Sequence, residues 1–86
     1  MNAKNVVLSA LGRYGPLPVK ANAPDPDFMY LDAGHLDSFQ ILELVTSVEE
    51  QLGIRLSAAD LQSMEFRRVG GLINIVERLL LQKEKG

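Results

Sequence analysis

The sequence predicts a small all-α fold: a four-helix bundle with three longer helices, one short helix, and a long loop between the first and second helices. Three segments carry apolar residues at the i, i+3, i+4 spacing of an amphipathic helix. No segment alternates apolar and polar residues for long enough to predict a strand. The chain has 86 residues, of which 47% are hydrophobic, and this suits one domain, residues 1–86, with a small core.

The first predicted helix covers residues 3–13. Val7 and Leu11 lie on its apolar stripe, which Tyr14 continues just past its end. Glycines and prolines then end it. The connection that follows, residues 15–36, holds all four prolines of the chain. A loop of this length is uncommon in a compact domain and is usually functional or disordered. Its apolar stretch, residues 28–31, is expected to pack on the helices.

The second predicted helix covers residues 38–52 and carries one continuous apolar stripe, formed by Ile41, Leu44, Val45, Val48 and Leu52. Asp37 is predicted to be its N-cap, because Gln40 follows three residues later in the spacing of a capping box. Gly53 is predicted to end this helix, because many helices end with a glycine in the left-handed conformation.

A third, short helix is predicted after Ser57, with Asp60 in the capping-box position and an end near Met64. The last helix is predicted over residues 69–82. Its apolar stripe consists of Val69, Leu72, Ile73, Val76, Leu79 and Leu80. Gly70 and Gly71 lower helix propensity in its first turn, but they permit close approach of another backbone segment.

Composition excludes several kinds of site. There is no cysteine and one histidine, so no disulfide and no thiolate zinc site is expected. No calcium-loop spacing is present either. The purely apolar runs reach only four residues and no leader-like stretch opens the chain, so we expect no membrane span and no secretion. A cytoplasmic monomer is the expectation.

Charge is spread unevenly along the chain. Residues 32–65 contain seven acidic residues and one basic residue, Arg55. This stretch would repel a phosphate backbone, and we therefore expect no nucleic-acid binding through it. It would attract a basic protein surface instead.

Ser38 is the best candidate for covalent chemistry, since it stands at the start of the second helix, where a phosphate is favoured. A structural N-cap is the commoner explanation of an Asp-Ser pair. A hydrolytic triad of Ser38, Asp37 and His35 is disfavoured, because three residues within four positions rarely reach one another in the required order. No Gly-x-Ser-x-Gly turn is present. Modification of Ser38 by another enzyme is preferred, and no catalytic residue is expected.

Three blocks in order, residues 31–39, 44–56 and 66–72, give the chain a resemblance to acyl carrier proteins and the related peptidyl and D-alanyl carriers. The resemblance implies a bundle of acyl-carrier-protein type. It also implies that a phosphopantetheinyl transferase moves 4′-phosphopantetheine from coenzyme A onto Ser38, with Asp37 beside the attachment point. The thiol of this arm would carry an acyl or aminoacyl thioester, and the domain itself would catalyse nothing.

The same resemblance makes the second helix the recognition surface for the enzymes that load and transfer the acyl or aminoacyl group. The candidate contacts are Phe39, Gln40, Glu43, Glu49 and Glu50. Phe39 and Gln40 replace the leucine and the acid of housekeeping fatty-acid carriers. The pathway could be fatty-acid, polyketide, nonribosomal-peptide or a related specialised one. Leu36 precedes Asp37, and the resulting Gly-x-Leu-Asp-Ser stretch resembles the carriers of nonribosomal-peptide, D-alanyl or specialised acyl pathways.

Two points stay open in the sequence. Cargo could fold back between the helices against Ile41, Val45, Met64 and Leu72, although core packing accounts for each of these residues. Two other functions also compete with the carrier. One is a small helical adaptor that binds a partner through its acidic face without a prosthetic group, and the other is a minimal serine hydrolase.

Overall fold

The structure, a computed structural model, describes residues 2–85. Its elements follow the predicted order of helices, with a 3-10 turn before the last helix and a small hairpin inside the long loop. They are α1 Ala3–Gly12, β1 Val19–Lys20, β2 Ala23–Pro24, α2 Ser38–Leu52, α3 Ala58–Gln62, the 3-10 turn Glu65–Arg67, and α4 Val69–Lys85. The all-α bundle with three long helices and one short helix is therefore confirmed.

The core lies where α1 packs against both α2 and α4. On α2 the predicted stripe faces inward, with Leu44, Val48 and Leu52 buried. On α4 the prediction needs one correction: Ile75 is buried, whereas Ile73 is only partly so. Position 75 lies one turn beyond the buried Leu72 on the same face, and the sequence stripe had omitted it.

The long loop is tied to the start of α4. The N–H groups of Val69 and Gly70 donate to the carbonyl oxygens of Phe28 (3.0 Å) and Pro26 (2.8 Å). These are N–H groups of a helix start, which lack partners within their own helix. The Tyr30 side chain is fully buried, and its hydroxyl donates to the carbonyl oxygen of Phe66. The apolar stretch of the loop thus packs on the helices as predicted.

The hairpin was not predicted. β1 and β2 pair antiparallel, with Val19 opposite Pro24 and Lys20 opposite Ala23. The two turn residues between them, Ala21 and Asn22, both have positive φ angles, 54° and 66°. This is the backbone twist that two-residue hairpin turns require. Strands of two residues are too short to show alternation, and the turn lacks the glycine that usually marks it.

Two helix ends differ from prediction. α3 ends at Gln62, short of Met64, because Ser63 is extended and its hydroxyl donates to the carbonyl oxygen of Asp60 at 2.7 Å. α4 continues past residue 82 to Lys85. Its last turns are held by tertiary contact, since Lys83 Nζ donates to the carbonyl oxygen of Leu52, at the end of α2, at 3.1 Å. A cation is favourable at a helix C-terminus.

Gly71 confirms the predicted close approach of two backbones. A Cβ added there would overlap the backbone of Glu65 in the 3-10 turn. The 3-10 turn and α4 therefore approach each other main chain to main chain at Gly71. Among the helices of residues 2–85, none is long and apolar enough to cross a membrane.

Candidate functional site

Ser38 is the first residue of α2 and is exposed to solvent. The predicted capping box is present next to it: Asp37 Oδ1 accepts from the N–H of Gln40 at 2.8 Å, and Gln40 Oε1 accepts from the N–H of Asp37 at 3.0 Å. Asp37 therefore caps the helix in place of the serine. The Ser38 hydroxyl makes no hydrogen bond to any group in residues 2–85.

The other serines of the chain are placed differently. Ser47 accepts from the side-chain amide of Gln51, Ser57 caps α3, and Ser63 bridges α3 to the 3-10 turn. The remaining one, Ser9, lies in the interior of α1. Ser57 is also exposed at a helix start, but its hydroxyl is used in the cap of α3. Ser38 alone, among the serines of the described chain, combines a helix N-terminus with an exposed hydroxyl that makes no hydrogen bond.

This position fits a phosphodiester. The first N–H groups of a helix lack intrahelical partners, and the positive end of the helix dipole favours an anion. The Asp37 carboxylate is held against one of those N–H groups by the cap. An uncommitted hydroxyl in front of them can receive a phosphate-bearing group without disturbing any hydrogen bond among the described residues.

His35 does not complete a catalytic triad. Its Nε2 lies 3.0 Å from the carbonyl oxygen of Leu11, and its ring meets Phe28 edge to face, with the ring centres 5.9 Å apart. The Asp37 carboxylate is engaged with Gln40. The His35 ring thus holds the loop against α1, and the Asp37 carboxylate caps α2.

Three of the five predicted partner contacts are exposed on α2: Phe39, Glu43 and Glu50. Glu43 also accepts a long hydrogen bond, 3.4 Å, from the Tyr14 hydroxyl of α1. Burial and the nearby Glu43 carboxylate raise the pKa of Tyr14. The outer face of α2 is thereby joined to the end of α1.

The other two predicted contacts are engaged inside the domain. Gln40 is half-buried within the capping box. Glu49 is half-buried, and its Oε2 accepts from the backbone N–H of Leu56 at 2.8 Å. Position on the helix could not distinguish Glu49 from Glu50, because the difference arises from the chain that returns after Gly53.

Two further residues, Leu42 and Arg13, lie at the same surface as Phe39, Glu43 and Glu50 and were not among the predicted contacts. Leu42 is 67% exposed and lies one turn after Phe39, itself 69% exposed. The i, i+3 pair outside the core stripe was the signal that could have found Leu42. Arg13 follows α1 directly and reaches the same surface, and no local pattern indicates this.

The four residues suggested for a cargo pocket lie in different surroundings. Leu72 is in the core, Ile41 and Val45 are partly buried against it, and Met64 is 67% exposed. Core packing accounts for Leu72, Ile41 and Val45.

The comparison with protein families decides the identity. A family model described as "Phosphopantetheine attachment site" matches residues 4–76. The chain belongs to the phosphopantetheine-binding carrier family. Comparisons with curated proteins and with solved structures gave no match. The cofactor is 4′-phosphopantetheine, attached covalently to a serine, and the chain is a carrier and not an enzyme.

Family membership also implies contact with the enzymes that modify the carrier and that transfer its cargo. Among the described residues, no group of histidine and carboxylate side chains is arranged so that it could hold a metal ion.

Proposed function

We propose that this carrier bears its arm on Ser38 and presents an acyl or aminoacyl group to successive enzymes. The observation that supports this is the capping box of Asp37 and Gln40, which caps α2 without using the Ser38 hydroxyl. A serine needed as the cap would lose that role on modification. Here the cap and the attachment point are neighbouring residues with separate tasks.

The attachment is a phosphoryl-transfer reaction. Ser38 Oγ forms a bond to the β-phosphorus of coenzyme A, the bond from that phosphorus to the bridging oxygen breaks, and adenosine 3′,5′-bisphosphate leaves. The hydroxyl proton passes to a base of the phosphopantetheinyl transferase. Once attached, the group supplies a terminal thiol that holds the cargo as a thioester. The tether raises the concentration of cargo at each partner active site.

The chain itself contributes position and surface. Because Ser38 opens α2, a phosphodiester on its hydroxyl would lie at the positive end of a helix dipole, which supports the proposal. The exposed Glu43 and Glu50 supply negative charge that steers basic enzyme surfaces and speeds encounter. Phe39 lies directly beside the attachment point and offers apolar contact.

We propose further that residues 1–86 act as one carrier domain and serve a specialised acyl, nonribosomal-peptide or D-alanyl pathway. The support for the pathway is the Gly-x-Leu-Asp-Ser stretch of residues 34–38, together with Phe39 and Gln40 in place of the leucine and the acid of fatty-acid carriers. The cytoplasmic location and the monomeric state stay predictions.

Intact-mass analysis tests the function. The chain is incubated with a broad-specificity phosphopantetheinyl transferase and coenzyme A. Wild type and Ser9→Ala are expected to gain one phosphopantetheine, and Ser38→Ala none. A wild type that gains no mass contradicts the carrier function and favours an adaptor without a prosthetic group. The same gain on Ser38→Ala contradicts the assignment of the site.

A further inference from the structure

The first turns of α2 carry the attachment serine, but they bury little. Residues 38–43 include no buried side chain, although Ile41 packs partly against the core. The first buried residue of the helix is Leu44. Close packing is what fixes a side chain and its backbone in place. The start of α2, and Ser38 with it, is therefore held mainly by the residues that precede the helix.

The residues before Ser38 form a turn that leads directly into the cap. The backbone N–H of His35 donates to the carbonyl oxygen of Tyr30 at 3.0 Å and closes the turn. Leu36 follows and is buried, and Asp37 then caps α2. Because only these two residues separate the turn from the serine, whatever fixes His35 also limits where Ser38 can lie.

The His35 side chain ties this turn to the end of α1. Its Nε2 lies 3.0 Å from the carbonyl oxygen of Leu11, and its ring meets Phe28 edge to face. A Cβ added to Gly15 would lie 3.6 Å from the ring carbon Cε1, so the ring also lies against the chain just past α1. Within residues 2–85, no other side-chain hydrogen bond joins residues 29–37 to α1.

The contact with Leu11 also decides which ring nitrogen carries the proton. A carbonyl oxygen only accepts, so Nε2 of His35 carries a proton and donates it. The Leu11 carbonyl also accepts from the backbone N–H of Tyr14 at 3.2 Å. Removing the ring donor therefore releases the turn without leaving this carbonyl unpaired.

We infer that His35 is a positioning residue for the modification of Ser38. Its ring is engaged with α1 and acts on the reaction through the turn, which it holds so that Asp37 and Ser38 stand where the transferase must find them. Attack on the phosphorus of coenzyme A needs an aligned hydroxyl, and a displacement of about 1 Å can cost about 100-fold in rate. This inference rests on the proposed function and adds a residue to it.

Three substitutions separate the hydrogen bond from the volume of the ring. His35→Gln keeps an N–H donor about as far from the backbone as Nε2, His35→Asn places its donor nearer, and His35→Leu has none. Steady-state kinetics are measured with a broad-specificity phosphopantetheinyl transferase as the probe. His35→Leu and His35→Asn are expected to lower kcat about tenfold, and His35→Gln to stay within about twofold of wild type. KM should stay within about twofold in all three, because the exposed Glu43 and Glu50 are unchanged.

Lys83→Met is the matched control. It also removes a side-chain donor from a carbonyl at a helix end, since Lys83 Nζ donates to Leu52 at 3.1 Å. Leu52 is the last residue of α2, at the opposite end from Ser38. This variant is therefore expected to keep the kcat and KM of wild type. Thermal unfolding followed by circular dichroism shows that every variant is folded at the assay temperature.

Nuclear magnetic resonance tests the contact itself. His35 is the single histidine of the chain, so the imidazole nitrogens give one set of signals. Their ¹⁵N shifts should show the proton of the neutral ring on Nε2. A neutral ring with its proton on Nδ1 would contradict the contact with Leu11.

The kinetic outcomes separate this inference from the proposed function. If wild type is modified and His35→Leu and His35→Asn keep the kcat of Lys83→Met, the positioning role is overturned and the carrier function stands. A fall in kcat that His35→Gln does not restore overturns the hydrogen bond as its cause. A wild type that is never modified contradicts the carrier function itself.

Discussion

Glu49 of α2 and Leu56 of the following link are joined by a hydrogen bond in which Glu49 Oε2 accepts from the Leu56 N–H at 2.8 Å. The link turns back at Gly53, which has a left-handed φ of 64°, and brings the buried Leu56 under the helix. The carboxylate satisfies a backbone N–H for which no other acceptor is present among residues 2–85. Glu49 thus stabilises the fold from within the predicted partner surface.

Replacing Glu49 by alanine is expected to lower the free energy of unfolding by about 1–2 kcal/mol, because it removes a charged acceptor from a backbone donor. Glu50→Ala is the matched control and is expected to change it by less than about 0.5 kcal/mol, since Glu50 is exposed. Urea unfolding followed by circular dichroism measures both. Equal effects of the two variants would contradict the structural role of Glu49.

Reversing the charges of Glu43 and Glu50 is expected to slow modification by the transferase several-fold while the circular dichroism spectrum stays unchanged. The reason is the loss of attraction to basic enzyme surfaces, which salt screens over about 10 Å at 0.1 M. The difference between wild type and the Glu43→Lys, Glu50→Lys variant should therefore shrink as salt rises. Glu84→Lys, which reverses the charge of an exposed residue on α4, is the control. Rates that do not depend on either the charges or salt would rule out steering.

Tyr30→Phe is expected to lower the free energy of unfolding by about 1–3 kcal/mol, because the Phe66 carbonyl then loses its buried donor. Burial also raises the pKa of the Tyr30 hydroxyl. The folded chain therefore holds this proton more tightly than the unfolded chain, whose tyrosines titrate near pH 10. The resulting stabilisation is complete below about pH 10 and is lost as the pH rises through the higher folded value.

The measurement is urea unfolding of wild type and Tyr30→Phe between neutral pH and pH 11. Wild-type stability should fall above about pH 10 more steeply than that of the variant. If the stabilities of wild type and Tyr30→Phe fall in parallel with pH, ionisation of Tyr30 does not cause the loss of stability at alkaline pH.

Gly71→Ala is expected to lower the free energy of unfolding by about 3 kcal/mol, since the added methyl group would overlap the Glu65 backbone and force α4 from the 3-10 turn. Gly12→Ala is the control at the end of α1. An added Cβ there has no atom within 4 Å, and better helix propensity should stabilise the chain by up to about 1 kcal/mol. Thermal unfolding of both variants gives the answer. A Gly71→Ala variant as stable as wild type would mean that the backbones do not meet as described.

The predictable parts of the fold depended on local signals. Asp37 with Gln40, and Ser57 with Asp60, form the capping boxes that their spacing indicated. Gly53 ends α2 in the left-handed region that its position suggested. Each of these features depends on residues within a few positions of one another, so the local sequence pattern was enough to predict it.

The unpredicted parts depend on contacts between distant segments. Glu49 and Glu50 are adjacent acids, and the return of the chain to Leu56 alone gives them different tasks. Lys83 is held by the end of α2, and α4 extends beyond its predicted end. His35 meets the end of α1, and Arg13 completes a groove with α2. Contacts between distant segments leave no local pattern in the sequence. For Ser38, the residue and its immediate neighbours were equally consistent with a simple helix cap.

Localisation of the attached group tests the central claim most directly. Trypsin cleaves after Lys20 and Arg55, so Ser38 and Ser47 fall in one peptide, residues 21–55. After modification with coenzyme A and the transferase, fragment ions of this peptide should place phosphopantetheine on Ser38, with Ser47 unmodified. The group on Ser47, on a serine outside this peptide, or on no serine would contradict the account.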